Sequence, residues 1–184
     1  MREIKNALRK ELISRRKAMN SSQKLAADID IFEQIKELID NSEAVFTYAS
    51  TEIEVDTRRI IDYCLERNIP VALPVSGDEE IEFFYIGGTD KLKKGRYGID
   101  EPPQTFPAAP SEQTLCIVPA LCADGKGLRL GYGKGYYDRF LSRFPGKSVI
   151  ICYDEFRREV PAETHDRKAD YTFFNRKTVN NGRK

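Results

Sequence analysis

The sequence predicts a single three-layer αβα domain, of class α/β, with a mostly parallel central sheet. Three observations predict it. Short apolar runs alternate with stretches of helical period along most of the chain. Two of those runs, around Val45 and Ile117, are apolar on consecutive positions, as in strands buried on both faces. No internal repeat or low-complexity tract interrupts the pattern over residues 1–184.

The elements follow in order. Ile4, Leu8 and Leu12 recur every four residues and predict a helix over 3–18, with these three facing inward. Lys5, Arg9 and Arg16 fall within ~40° of each other on a neighbouring stripe, at ~100° per residue. Asn20-Ser21-Ser22-Gln23 reads as the N-cap region of a second helix running to about Asp40. Its inward residues are read as Leu25, Ile29, Phe32, Ile35 and Ile39. The period then changes. Ala44-Val45-Phe46-Thr47-Tyr48-Ala49 is a buried-strand signal. Asp56 or Thr57 is placed to cap a helix through Arg67, with Ile60, Ile61, Cys64 and Leu65 apolar. Strands are predicted over 71–75 and 81–86. A turn-rich stretch from Gly87 to Pro110 reads as a long surface loop, because the alternation resumes after it. Further strands are expected over 115–121, 149–153 and 171–174, and a helix over 135–144.

Hydrophobic residues make up 40% of the chain, enough for a packed core, so wholesale disorder is excluded. Lys plus Arg is 30 and Asp plus Glu is 29, a formal net charge of +1, which argues against binding nucleic acid by bulk charge. No apolar run approaches the ~18 residues that would predict a membrane span. Charges run through Met1-Arg2-Glu3-Ile4-Lys5, so no secretory leader is visible and a cytoplasmic protein is expected; a monomer is expected as well, though no residue pattern fixes the oligomeric state. Cys64, Cys116, Cys122 and Cys152 form no close pair and read as buried reduced thiols. With His165 as the single histidine and no close cysteine pair to complete four ligands, a zinc site is not expected.

The charge is unevenly placed. Residues 1–17 and 125–147 each carry a net +5, and the acids of 28–56 compensate. Two separated basic segments could meet around one anionic small molecule, or could be ordinary solvated faces. The second contains Arg129-Leu130-Gly131-Tyr132-Gly133-Lys134-Gly135-Tyr136-Tyr137-Asp138-Arg139-Phe140. Alternate glycines before a helix allow close backbone approach to a ligand, and free N–H groups at the helix start suit phosphate. Arg129 and Lys134 add charge of the right sign. Asp138 could hold Mg²⁺ between phosphate oxygens or could be a first-turn carboxylate favoured by the helix dipole. The spacing matches neither G-x-G-x-x-G nor a loop ending in G-K-[ST]. A tight turn into an amphipathic helix therefore stays open on the residues alone.

That segment resembles the signature of the 5-formyltetrahydrofolate cyclo-ligase family, also called 5,10-methenyltetrahydrofolate synthetases. Other pieces agree in order. Lys5-Asn6-Ala7-Leu8-Arg9 matches the family's K-x-x-L-R, and Glu52-Ile53-Glu54-Val55-Asp56-Thr57 resembles its E-I-x-T segment. Tyr97-Gly98-Ile99-Asp100-Glu101-Pro102 resembles its Y-G-I-x-E-P loop, and Val118-Pro119-Ala120 its V-P-x-L strand end. His165-Asp166-x-x-x-Asp170 resembles its H-D-x-x-x-D run. The resemblance covers essentially the whole chain, read as one domain over 1–184 with the basic N-terminal helix contributing to the site. It implies a fold of the NagB/RpiA/CoA-transferase-like kind.

The resemblance implies an ATP- and Mg²⁺-dependent closure of 5-formyltetrahydrofolate, with or without further glutamates, to 5,10-methenyltetrahydrofolate. ATP phosphorylates the formyl oxygen, nitrogen 10 attacks, and ADP and phosphate are released. No nucleic acid or membrane partner is implied. Lys5, Asn6, Ala7, Leu8 and Arg9, with Arg129, Leu130, Gly131, Tyr132, Gly133, Lys134, Gly135, Tyr136 and Tyr137, are expected at ATP. Arg9, Ala49, Glu54, Tyr132, Gly133, Lys134, Gly135 and Tyr136 are expected at the folate, with Glu54 accepting from pterin N–H groups. Lys134 and Tyr137 are the expected catalytic residues, and Asp138 and Asp170 the metal ligands. His165 is read as a loop residue. Tyr132 departs from an Arg common in relatives, and Ala49 from a larger apolar residue. Two other classes are weighed beside this one: a non-catalytic binder of nucleic acid or phosphometabolites, and a sugar-phosphate isomerase or acyl transferase, which would need a marked acid–base residue.

Overall fold

A computed structural model describes residues 1–161, 163, 164 and 166–176. In chain order the elements are α1 (Arg2–Lys17), α2 (Ser21–Asp40), β1 (Ala44–Phe46), α3 (Arg58–Glu66), β2 (Val71–Ser76), β3 (Ile81–Ile86), β4 (Lys93–Lys94) and β5 (Asp100–Glu101). They continue with β6 (Thr114–Val118), β7 (Cys122–Ala123), β8 (Arg129–Leu130), α4 (Tyr136–Leu141), β9 (Lys147–Cys152) and β10 (Tyr171–Phe174). A 3₁₀ turn, Asp154–Phe156, follows β9. No helix among the described residues is long and apolar enough to cross a membrane.

The central sheet has the order β10-β9-β6-β1-β2-β3. Phe46 pairs with Ala72 and Cys116, Ile117 with Val149, and Ile151 with Phe173, all parallel. The exception is the edge pair β2–β3, antiparallel with Leu73 opposite Phe84. The domain is thus α/β with a mostly parallel sheet, as the alternation predicts. Every residue of β1 and β6 is buried, and so are Ser148 to Cys152 of β9. Since successive strand residues point to opposite faces, both faces of the sheet's centre are covered. The Phe46 ring stacks on Phe83 at 4.7 Å and meets Phe140 of α4 at 6.4 Å. Phe32 of α2 packs edge-on against Tyr63 of α3 at 5.3 Å.

Helix α2 starts as its sequence suggests: the Asn20 side chain accepts from the N–H groups of Ser22 and Gln23. At α3 the two candidate caps divide the work. Asp56 Oδ1 accepts from Arg58 N at 2.9 Å. Thr57 holds the loop after β1 instead, accepting from Ser50 N and donating to Tyr48 O.

The predicted inward faces need correction. Ile4 is 60% exposed, and Leu25 and Ile29 are exposed too. The buried face of α1 is Lys5, Leu8, Leu12 and Arg16. Ile4 lies roughly 80–90° from the centre of that face at ~100° per residue. Leu8 and Leu12 are docked as expected, and Lys5 and Arg16 of the neighbouring stripe are docked with them, while Arg9 is half-buried. In α2 the buried set is Ala27, Asp28, Ile31, Phe32, Ile35 and Ile39, with Leu25 and Ile29 roughly 80–120° off its centre. The turn-rich stretch from 87 holds a small antiparallel pair, β4–β5, and its end runs beside β3, with Ala108 N donating to Phe83 O at 2.8 Å. The β7–β8 pair, opposing Cys122 to Leu130, carries no long apolar run and was not anticipated. Helix α4 is six residues rather than ten. All four cysteines are free and buried. His165 lies outside the described residues.

Candidate active site

Five segments distant in sequence meet at the carboxyl ends of β1, β2 and β6, the edge where open α/β sheets bind ligands. They are α1, 48–54, 97–101, 129–138 and the pair Glu163 and Asp166, and residues from each line a cavity of about 980 Å³. Every residue from Arg129 to Asp138 lines it, as do Lys5, Asn6, Arg9, Ala49 and Glu54. Ala7, Leu8 and Asp170 do not. Ala7 points to solvent and Leu8 belongs to the core, because on one helix only the positions near Lys5 and Arg9 can face the opening. Asp170 stands at the start of β10, where its Oδ2 accepts from Ser148 N and Oγ at 2.7 and 2.8 Å.

The N-terminal helix is held against the site by its cations. Arg16 is 3% exposed. Its guanidinium donates to Leu121 O, Ala120 O and Ile53 O at 2.8–3.0 Å and stacks 4.6 Å from the Phe156 ring centroid. Among the described residues no carboxylate pairs with this buried charge, which carbonyl dipoles and a ring face compensate. One end of α1 is thereby tied to the loop after β6. At the other end Lys5 Nζ bonds Glu163 Oε2 and Asp166 Oδ2, both at 2.8 Å. Between them Arg9 Nε donates to Gly131 O at 2.8 Å and Nη1 to Asn6 Oδ1 at 2.7 Å.

Glycine is needed where Arg9 meets the loop. Gly133 has φ +95°, and a Cβ there would sit 2.9 Å from Arg9 Cζ. Gly135, φ +71°, is the N-cap of α4. With only six residues behind it, α4 offers little dipole; the positive character of this wall rests on side chains and loop N–H groups. Arg129, 8% exposed, donates to Asp138 Oδ1 at 3.0 Å and to Arg167 O at 3.0 Å. Arg167 N also donates to Asp138 Oδ1, at 3.1 Å, which brings the neighbouring Asp166 to the same wall. Lys134 is exposed, its ammonium 5.4 Å from the Tyr97 ring centroid.

Another part of the lining is acidic and aromatic. Glu54, 5% exposed, accepts at Oε2 from Thr51 N and Oγ1 at 2.8 and 2.9 Å. Burial and the Glu54 carboxylate push the Tyr132 hydroxyl above its ordinary pKa. Burial also raises Tyr137, whose buried hydroxyl has no hydrogen-bond partner among the described residues. Such an orphaned donor is costly and can be satisfied by a bound oxygen.

Sequence reasoning left several lining residues without a role: Glu163, Asp166, Tyr97 and Ile99 among them. Asp166 sits in the quoted His165-Asp166 motif, but nothing in the string separates it from Asp170. Oxygen donors suit Mg²⁺, which commonly takes one or two carboxylates and completes its shell with phosphate and water. Asp138 and Asp166, on one wall beside the glycine loop, fit that pattern. No group of three or more His, Cys, Asp or Glu among the described residues could hold a metal by itself.

Comparisons with known proteins bear on this arrangement. The model of the 5-formyltetrahydrofolate cyclo-ligase family matches residues 1–174. A probable 5-formyltetrahydrofolate cyclo-ligase of Schizosaccharomyces pombe is 31% identical over 147 residues, covering 70% of this chain and 72% of that one. The 5-formyltetrahydrofolate cyclo-ligase of Mycolicibacterium smegmatis is 33% identical over 134 residues, 66% of this chain and 68% of its own. Among solved structures, the 5,10-methenyltetrahydrofolate synthetase of Aquifex aeolicus superposes with a TM-score of 0.82 at 26% identity, covering 95% of this chain and 91% of that one.

Proposed function

Because the chain belongs to the 5-formyltetrahydrofolate cyclo-ligase family, we propose that it closes 5-formyltetrahydrofolate to 5,10-methenyltetrahydrofolate with ATP and Mg²⁺, releasing ADP and phosphate. The observation that carries this reading is the shape of the charge. One cavity brings residues of both basic segments together with a buried carboxylate, Glu54. Its volume of about 980 Å³ is at the upper end of the ~300–1,000 Å³ usual for one small ligand, which suits two substrates side by side.

In this reading the triphosphate lies along 129–137, met by Arg9, Arg129 and Lys134. Glu54 accepts from pterin N–H groups, and its bonds from Thr51 fix the carboxylate before the substrate arrives. Lys134 neutralises charge gained by the formyl oxygen and the moving phosphoryl group. Tyr137 donates its unpartnered hydroxyl to an oxygen of either substrate. Asp138, with Asp166, would hold Mg²⁺, which supplies charge neutralisation at the phosphates when bound. Transfer of phosphoryl to a bound oxygen is mostly positioning and electrostatics, so no protein nucleophile enters. Attack of nitrogen 10 on the activated carbon then expels phosphate and closes the ring. The reading takes a monomeric, cytoplasmic enzyme and a substrate bearing one or more glutamates.

The test is an absorbance assay for methenyltetrahydrofolate, made from 5-formyltetrahydrofolate with and without ATP. Product formed only with ATP is expected. Absence of product with both substrates and Mg²⁺ present would overturn the reading.

A further inference from the structure

A buried carboxylate outside the cavity holds the loop that carries Glu54. Residues 47–57 belong to no strand or helix, so other groups must satisfy their backbone. Asp28, on α2, is 5% exposed. Its Oδ1 accepts from Asp56 N at 3.1 Å and from the Tyr153 hydroxyl at 2.7 Å. The same hydroxyl lies 2.8 Å from Glu54 O. Lys24 Nζ, one turn back on α2, meets Asp28 Oδ2 at 2.9 Å. Neither Asp28 nor Tyr153 lines the cavity.

Stability alone does not call for this network, because a buried ion pair contributes little over apolar side chains of similar volume. What it adds is direction. Its bonds end on the backbone at Glu54 O and Asp56 N. Burial and the Asp28 carboxylate push the Tyr153 hydroxyl above its ordinary pKa, so it stays a donor. Arg16 holds the preceding carbonyl, Ile53 O, at 2.9 Å. The Glu54 carboxylate is met by Thr51 of the same loop, a bond that moves with the loop and cannot place it. A recognition group on a loop needs a supporting layer that locks its position. Here that layer comes from α2 and from the residue after β9.

Resting on the folate role proposed above for Glu54, we propose that Asp28 and Tyr153 are its positioning residues: from outside the cavity lining they fix the backbone of 54–56 and so set the affinity for the folate. The nucleotide wall, built on α1 and the glycine loop, does not depend on them.

Compare Tyr153→Phe, Asp28→Asn, Glu54→Ala and the double variant Tyr153→Phe/Glu54→Ala, measuring binding of 5-formyltetrahydrofolate and of ATP by calorimetry. Tyr153→Phe keeps the ring and removes the hydroxyl. It should weaken folate binding about tenfold and ATP binding less than about twofold. Asp28→Asn keeps an acceptor for Asp56 N and should lose less than about threefold in folate binding. In the Glu54→Ala background Tyr153→Phe should add less than about twofold, since residues that act together are not additive. Equal losses for both ligands, or a full tenfold loss in that background, overturn the proposal. A second readout needs no ligand: amide hydrogen exchange followed by NMR. Tyr153→Phe should speed exchange at Glu54 and Asp56 about tenfold and leave Val45 and Thr47, bonded to the neighbouring strand segment, within about twofold. Unchanged rates, or equal acceleration at all four amides, overturn it. If the wild type binds no 5-formyltetrahydrofolate, the activity reading fails while the exchange rates still decide the positioning. Circular dichroism checks folding, and Asp28→Ser, which withdraws the acceptor, replaces Tyr153→Phe should that one unfold.

Discussion

Lys5 Nζ lies 2.8 Å from Asp166 Oδ2, a bond that joins residues 161 positions apart and closes the first helix onto the last described loop. Burial disfavours the Lys5 ammonium, but its bonds to Asp166 and Glu163 outweigh that and raise its pKa above the ordinary 10.5. A raised ammonium pKa contributes stability fully below the unfolded value and loses it as pH climbs through the folded one. Lys5→Met should therefore cost ~1.5–3 kcal/mol at pH 8, the range for hydrogen bonds to charged groups. The gap from wild type should narrow above pH 10.5. Urea unfolding at pH 8 and pH 11 measures both. A gap that stays constant would show that the pair does not stabilise the fold through its charge.

Asp138 has two roles to separate. Its Oδ1 supports Arg129 and Arg167 N, and the proposed metal needs its charge. Asparagine keeps an acceptor at Oδ1 and removes the charge. Asp138→Asn should lose only ~1 kcal/mol of stability while turnover collapses, and chelation should abolish turnover in the wild type. Full activity of the variant at limiting Mg²⁺ would remove Asp138 from the metal.

Lys134 makes no ion pair among the described residues, so its removal should leave stability nearly unchanged. Lys134→Met should cut kcat by on the order of 10²-fold, with a smaller rise in KM for ATP. A change confined to KM would assign the lysine to ground-state binding. Thermal unfolding of the variant provides the control.

Arg16 gives the contrasting case. Replacing it with leucine strands the buried carbonyls of Ala120 and Leu121 and unpairs the half-buried one of Ile53. Each unmet group costs ~1–3 kcal/mol, against a total stability of ~5–15 kcal/mol for a domain. Arg16→Leu should lower the unfolding free energy by at least ~3 kcal/mol and lose ATP binding with it. A variant of near wild-type stability would mean that the carbonyls find water.

The sheet was legible because β1 and β6 are too apolar to be anything but buried strands, and the Gly131–Gly135 spacing announced the loop that approaches Arg9. What the string hid has a common cause. Periodicity scores a helix face by hydrophobicity, so it named Ile4 and passed over Lys5 and Arg16, which are buried because carboxylates and carbonyls wait for them. The choice between Asp166 and Asp170 depends on which one Ser148 occupies, a contact across strands that no spacing encodes. Asp28 escaped for the same reason: its partners, Tyr153 and Asp56, are supplied by other segments. The β7–β8 pair is two residues a side, too short for an alternation to register.

The docking of α1 sets an order of events during synthesis. This helix precedes every other described element in the chain, yet its fixed points are Ala120 and Leu121 at one end and Glu163 and Asp166 at the other. Contacts this distant in sequence close late, after the chain between them is made. A growing chain that already has β1, β2 and β6 therefore still lacks an ordered Lys5 and Arg9. The wall where α1 meets the glycine loop is completed only after Glu163 and Asp166 are in place, so shorter nascent chains are built without the closed cavity.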